Sequence, residues 1–146
     1  MDFRRIIAGV GQHAHLPEPA RTLAALSAFF VTLAERLEGR AAFSLSADLP
    51  RELANFLLSP PRAHGETFSM SEFYFRMSQR ERVSVEMATR HARIIGAVVG
   101  ASLSAAALQR WCEALPSELS WLLQPLPAEV ERAPLGTKGR TRRQQS

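Results

Sequence analysis

Apolar residues recur at helical spacing from the first residues of the chain onward. Phe3, Ile6, Ile7 and Val10 follow i, i+3, i+4, i+7, and Leu23, Leu26, Phe30, Leu33 and Leu37 alternate steps of three and four. Both runs predict amphipathic helices, with Pro17 and Pro19 before or within the first turn of the second and Gly39 at its C-terminal cap. A shorter segment from Ala41 to Ala47 leads to a helix starting at Pro50. Gly9-Val10-Gly11 reads as a helix end, because no strand precedes it and no Gly-Lys-Ser/Thr follows to make a phosphate loop.

In the second half the start signals are sharper. Ser69 and Glu72 make a capping box with Phe68 and Phe73 at staple spacing, so a helix begins at Met70, with Met70, Phe73 and Met77 inward and the pair Glu72 and Arg76 outward. Ser84 with Glu86 opens the next helix, whose apolar stripe reads Met87, His91, Ile94, Val98 and Ala101. Gly96 and Gly100 on that helix each cost up to about 1 kcal/mol against Ala, which predicts close approach of another helix. Pro116 starts a last helix at its first position. No segment alternates with period two, so the fold class is all-α.

The order of elements occurs twice. Leu49-Pro50-Arg51-Glu52-Leu53 and Leu115-Pro116-Ser117-Glu118-Leu119 share Leu-Pro-x-Glu-Leu at an offset of 66, which also pairs Leu33 with Val99 and Leu37 with Leu103. Upstream, Asp2-Phe3 matches Glu72-Phe73 at an offset of 70. The expectation is two homologous repeats of about four helices each, residues 1–60 and 68–126, joined by a linker at 61–67 and packed as one pseudo-two-fold bundle. Residues 127–146, rich in Pro, Gly, Thr, Arg and Gln, are expected to form a disordered basic tail.

The duplicated Phe-containing first helix, the long second helix and the Leu-Pro-x-Glu-Leu segment resemble a bacterial family, domain of unknown function 2267, over about residues 1–126. The residues that carry the resemblance are Phe3, Leu49-Pro50, Glu52 and Leu53, with Phe73, Leu115-Pro116, Glu118 and Leu119. It implies a duplicated, compact all-helical protein with no established reaction or cofactor. The first half departs from the pattern in being Ala-rich and apolar on its outer face. Phe29, Phe30 and Phe43 exceed what one core absorbs, which marks them as a candidate partner-binding or self-association surface.

Composition then narrows the chemistry. The 146 residues carry a net charge of +4, but all 14 acidic and 14 of the 18 basic residues precede Lys138, so the excess is Lys138, Arg140, Arg142 and Arg143. Arg76, Arg80, Arg90 and Arg93 add a second candidate anion-binding group, although Glu72, Glu81 and Glu86 interleave with them as on a salt-bridged face. The tail offers about four phosphate contacts, enough for weak nucleic-acid affinity without sequence specificity.

Catalytic sets do not emerge. Glu52 and Glu118 read as carboxylates at the third position of their helices, and no Glu-x-x-His pair accompanies them to make a di-metal site. His13 and His15 point apart on a helix, His64 lies in the linker, and His91 reads as a core histidine bonded to backbone. Cys112, beside Trp111, reads as buried. No catalytic, cofactor-binding or metal-ligating residue is therefore expected, and no cofactor.

No secretory signal core follows the N-terminus, and the longest uncharged stretch, Ile94 to Gln109, falls short of the roughly twenty apolar residues of a bilayer span. The expected location is the cytoplasm. The sequence thus points to a non-enzymatic helical module that binds an unidentified protein or itself. The alternatives are a weak nucleic-acid-associated regulator using the Arg-rich second repeat and tail, or a small-molecule or catalytic protein with a site between the repeats.

Overall fold

A computed structural model describes residues 1–60 and 62–127. Among these described residues eight α-helices run in chain order: α1 Phe3–Ala14, α2 Pro19–Arg36, α3 Gly39–Ser46, α4 Arg51–Leu58, α5 Met70–Glu81, α6 Val85–Ser102, α7 Ala105–Ala114 and α8 Ser117–Ser120. A 3-10 turn, Trp121–Leu123, follows α8, and no strand occurs among the described residues. None of the described helices is long and apolar enough to cross a membrane.

Small polar residues cap half of the helix starts. Asp2 Oδ1 accepts from the Arg4 amide at 3.0 Å, and the hydroxyls of Ser69, Ser84 and Ser104 accept from Glu72, Met87 and Ala107 at 3.1 Å each. A cap of this kind is worth about 1 kcal/mol. The caps of α5 and α6 match the sequence expectation. Those of α1 and α7 carry a weaker signal, because neither helix has an acidic residue in its first turn.

Apolar faces then close the bundle. α1 packs on α6 and α5 packs on α2, with α2 and α6 in contact between them. α4 covers α2, and the 3-10 turn covers α6. The core combines Ile6 and Val10 of α1, Leu26, Phe30 and Leu33 of α2, Leu53 and Leu57 of α4, Phe73 and Met77 of α5, and Ile95 and Val99 of α6. Phe29 stands edge-on to Phe30 and Phe73, with ring centroids 5.1 and 5.8 Å apart, the orientation aromatic quadrupoles favour.

Several local expectations are corrected. Gly39 opens α3, and α2 ends at Leu37, whose extended backbone cannot continue the helix. α1 runs through Gly9 and Gly11 to Ala14 and stops at His15, which adopts the left-handed conformation (φ 57°) and donates to the Gln12 and Gly11 carbonyls. Pro50 and Pro116 are N-caps, placing Glu52 and Glu118 one position earlier than expected, still in the first turn. On α6 the stripe is rotated: Ala88, His91, Ala92, Ile95 and Val99 are enclosed while Met87 and Ala101 face solvent.

The two glycines of α6 do secure a close approach, but to a 3-10 turn. A Cβ on Gly96 would run into the Leu122 carbonyl, and one on Gly100 into that of Leu123. The helix starts at α1 and α5 also lie 67 positions apart rather than 70, with both helices 12 residues long and both ending on a left-handed residue, His15 and Arg82. The offset of 70 aligned Phe3 with Phe73, whereas the buried positions are Ile6 and Phe73, then Val10 and Met77.

Candidate functional site

The densest polar cluster joins the two halves where the C-terminal end of α2 meets α5. Glu35 lies on the buried face of α2 with its side chain 0% exposed, a costly position for a carboxylate unless cations reach it. Two do. Arg76 Nη1 of α5 donates to Glu35 Oε1 at 3.1 Å, and Arg80 Nη2, one turn further, donates to Oε2 at 2.7 Å. Arg80 also donates to the Thr32 hydroxyl at 3.0 Å.

Arg76 extends the cluster outward. Its Nη1 and Nη2 form a fork on Glu66 of the connector at 3.0 and 2.6 Å, and its Nε donates to Glu72 at 2.8 Å. Its guanidinium also stacks over Phe68, 4.0 Å from the ring centre. Hydrogen bonding to Arg76 holds the Glu66 carboxyl below its ordinary range, and the same bond holds the Arg76 guanidinium above its own. The connector is fastened at two further points. The Glu66 amide donates to the Glu35 carbonyl at 2.8 Å, and His64 Nδ1 lies 2.8 Å from the Ala34 carbonyl. Gly65 between them takes φ +87°, a turn that favours glycine.

A second buried pair ties α5 to α6. His91 Nδ1 meets Glu81 Oε2 at 2.5 Å, both side chains being enclosed. The partner of this core histidine is thus a carboxylate, not the backbone. A third polar contact links the halves at their ends: Asp48, between α3 and α4, accepts from Trp111 Nε1 at 3.0 Å and from Arg110 at 2.9 Å.

These contacts decide what the candidate residues can do. Arg76 and Arg80 are spent on internal carboxylates. Arg93 donates to the carbonyls of Leu122, Gln124 and Pro125 at 2.8–3.1 Å and lies over Trp121, 4.7 Å from the ring centre. Partial burial lowers its pKa and burial raises that of the neighbouring Tyr74 phenol. All three guanidinium groups are thus engaged by partners within the protein. Arg90 is exposed on α6, while Lys138, Arg140, Arg142 and Arg143 lie outside the described residues.

Of the three aromatic candidates, Phe29 and Phe30 are in the core, 4% and 0% exposed, because α5 packs over that face of α2. Phe43 alone, on α3, is open, at 73% exposure. Cys112 is exposed as well, since the buried residues of α7 are Ala107 and Trp111.

Glu35, the anchor of the cluster, escaped the sequence reading. Its only signal is position: Glu35 lies two residues after Leu33 on the core side of α2, where a charged residue is unexpected. Among the described residues no group of three or more His, Cys, Asp or Glu is placed to hold a metal ion. The model of the uncharacterized conserved proteins known as DUF2267 matches residues 3–122. No curated protein matches the chain.

Proposed function

The chain belongs to the DUF2267 family, and from that premise and the geometry above we propose that it is a cytoplasmic, non-enzymatic helical module built from two homologous halves, which binds another protein through the α3 surface around Phe43. The observation that carries the reading is the contrast between Phe43 and its fellow candidates. Phe43 is 73% open to water on a helix whose other large apolar residue, Leu45, is enclosed, so its ring adds little to the core and is the most exposed of the large apolar side chains among the described residues. The ionisable clusters support the same reading from the other side. Glu35, Arg76, Arg80, Glu81, His91 and Arg93 are each engaged in holding elements together.

The duplicated plan is supported by matched elements. α1 and α5 have 12 residues each, and α2 and α6 have 18 each at an offset of 66. α1 on α6 and α5 on α2 are the two cross-contacts that a two-fold operation would interchange.

Immobilised full-length chain and its Phe43→Ser variant, exposed to extract of the native host, test the proposal. The expected result is a protein retained by the parent and lost from the variant, with equal thermal stability of the two baits. Retention that ignores Phe43, or no retention by a monomeric parent, removes the proposal.

A further inference from the structure

Trp121 opens the 3-10 turn behind α8 and is 51% exposed, whereas the other tryptophan, Trp111, is enclosed with its indole nitrogen donating to Asp48. Leu122 and Leu123 seat the turn in the core. Trp121 instead meets the guanidinium of Arg93 on one face, 4.7 Å from the ring centre, and presents the remainder of its ring to solvent. An indole open on one face is a stacking platform for another planar ring.

The cations around this platform differ from those at Glu35. Arg76 and Arg80 are neutralised by carboxylates, but Arg93 donates to the carbonyls of Leu122, Gln124 and Pro125, and no carboxylate reaches it among the described residues. Partial burial without a counter-ion disfavours that charge, so an anion brought to this face relieves it. Arg90, one turn earlier on the same side of α6, is exposed and forms no ion pair among the described residues. Glu86, one turn before Arg90, and Glu118, in the first turn of α8, balance these two cations in number without bonding to either. The positive excess comes from the chain that follows. Arg93 holds the carbonyls of Gln124 and Pro125, so residues 128–146 depart from this same face, and they carry Arg132, Lys138, Arg140, Arg142 and Arg143 against Glu129 and Glu131.

We propose that the face formed by Trp121, Arg93 and Arg90 binds single-stranded nucleic acid. One base stacks on the open side of Trp121, while the phosphates beside it lie along Arg90 and the cations that follow Pro127. A duplex hides the faces of its bases and could offer only phosphates. A membrane surface fits less well, because the cations from Lys138 to Arg143 are spaced by Gly and Thr and not by apolar side chains that would insert. Stacking and phosphate contacts are both indifferent to base identity, so no sequence preference is expected. The face belongs to α6 and the 3-10 turn, not to α3, and stands independently of the role given to Phe43.

Anisotropy of a labelled oligothymidine of about ten nucleotides, titrated with the full-length chain at low and at physiological salt, tests the face. The expected result is saturable binding that weakens as salt rises, with quenching of the indole emission, since Trp121 is the exposed tryptophan. Trp121→Ala should weaken binding about tenfold, and Trp121→Phe, which keeps a ring, should restore most of it. Arg90→Glu, at an exposed position, should weaken binding severalfold and flatten its salt dependence, whereas Phe43→Ser should leave it unchanged. Absence of binding at low salt overturns the proposal. So does binding indifferent to both Trp121→Ala and Arg90→Glu, which would assign it to residues 128–146 alone. Equal affinity for a duplex of the same length, or a preference for phosphatidylserine vesicles over the oligonucleotide, overturns it as well.

Discussion

Glu35 of α2 and Arg76 of α5 meet at 3.1 Å, the carboxylate wholly enclosed and the guanidinium nearly so, across a gap of 41 positions in sequence. Each side chain makes the other's burial tolerable. Arg80 completes the neutralisation of Glu35 at 2.7 Å, and Glu66 and Glu72 complete that of Arg76. Removing Glu35 would leave two inward-facing guanidinium groups facing a void. Glu35→Ala is expected to cost about 3–5 kcal/mol in urea unfolding, against less than about 1 kcal/mol for Glu72→Ala at the half-exposed edge. Equal losses for the two would show that the cluster is not anchored at Glu35.

The connector should come loose in acid. Its Glu66 carboxyl is held below the ordinary range by Arg76. A carboxylate whose folded pKa is depressed adds stability above its unfolded pKa, about 4.5 here, and loses it as pH falls through the folded value. Thermal unfolding of the parent should therefore fall below about pH 4.5 more steeply than that of Glu66→Gln, the two curves converging at the acid end. Parallel curves for parent and variant would exclude the linkage.

Gly96 and Gly100 should behave opposite to the usual helix rule. Glycine to alanine in a helix interior normally stabilises by up to about 1 kcal/mol. Here a methyl would drive into the Leu122 and Leu123 carbonyls, which are backbone and cannot turn aside. Each substitution is expected to destabilise by about 1–3 kcal/mol. Displacement of the 3-10 turn should also change the emission of Trp121.

Arg93 fastens the same turn from another direction. Through three backbone carbonyls and the face of Trp121 it satisfies acceptors that the end of a helical segment leaves free. Arg93→Ala is expected to cost about 1–3 kcal/mol and to speed amide exchange from Leu122 to Leu126. Arg90→Ala, at an exposed neighbouring position of α6, should leave both unchanged.

Local physics was legible without the fold. The apolar rhythm of Ile6 and Val10 and of Leu26, Phe30 and Leu33 marks the helices, and Ser69 and Ser84 mark their starts, because periodicity and capping depend on neighbours within one or two turns. Leu49-Pro50 and Leu115-Pro116 likewise announce helix starts. The phase of a stripe was less secure. On α6 the sequence favoured Met87 and Val98, whereas small residues such as Ala88 and Ala92 are the ones enclosed, since closely approaching helices bury alanine as readily as methionine.

What the sequence by itself determined is thus the helical class and most of the helix positions, both consequences of short-range pattern and composition. Only the tertiary structure decided which polar residues are internal. Arg76 and Arg80 look like surface cations until Glu35, more than forty positions earlier, is brought against them. Phe29 and Phe43 look alike until α5 covers one and leaves the other in water. Charge pairing and burial depend on what lies across the bundle, and that information is spread over the whole chain.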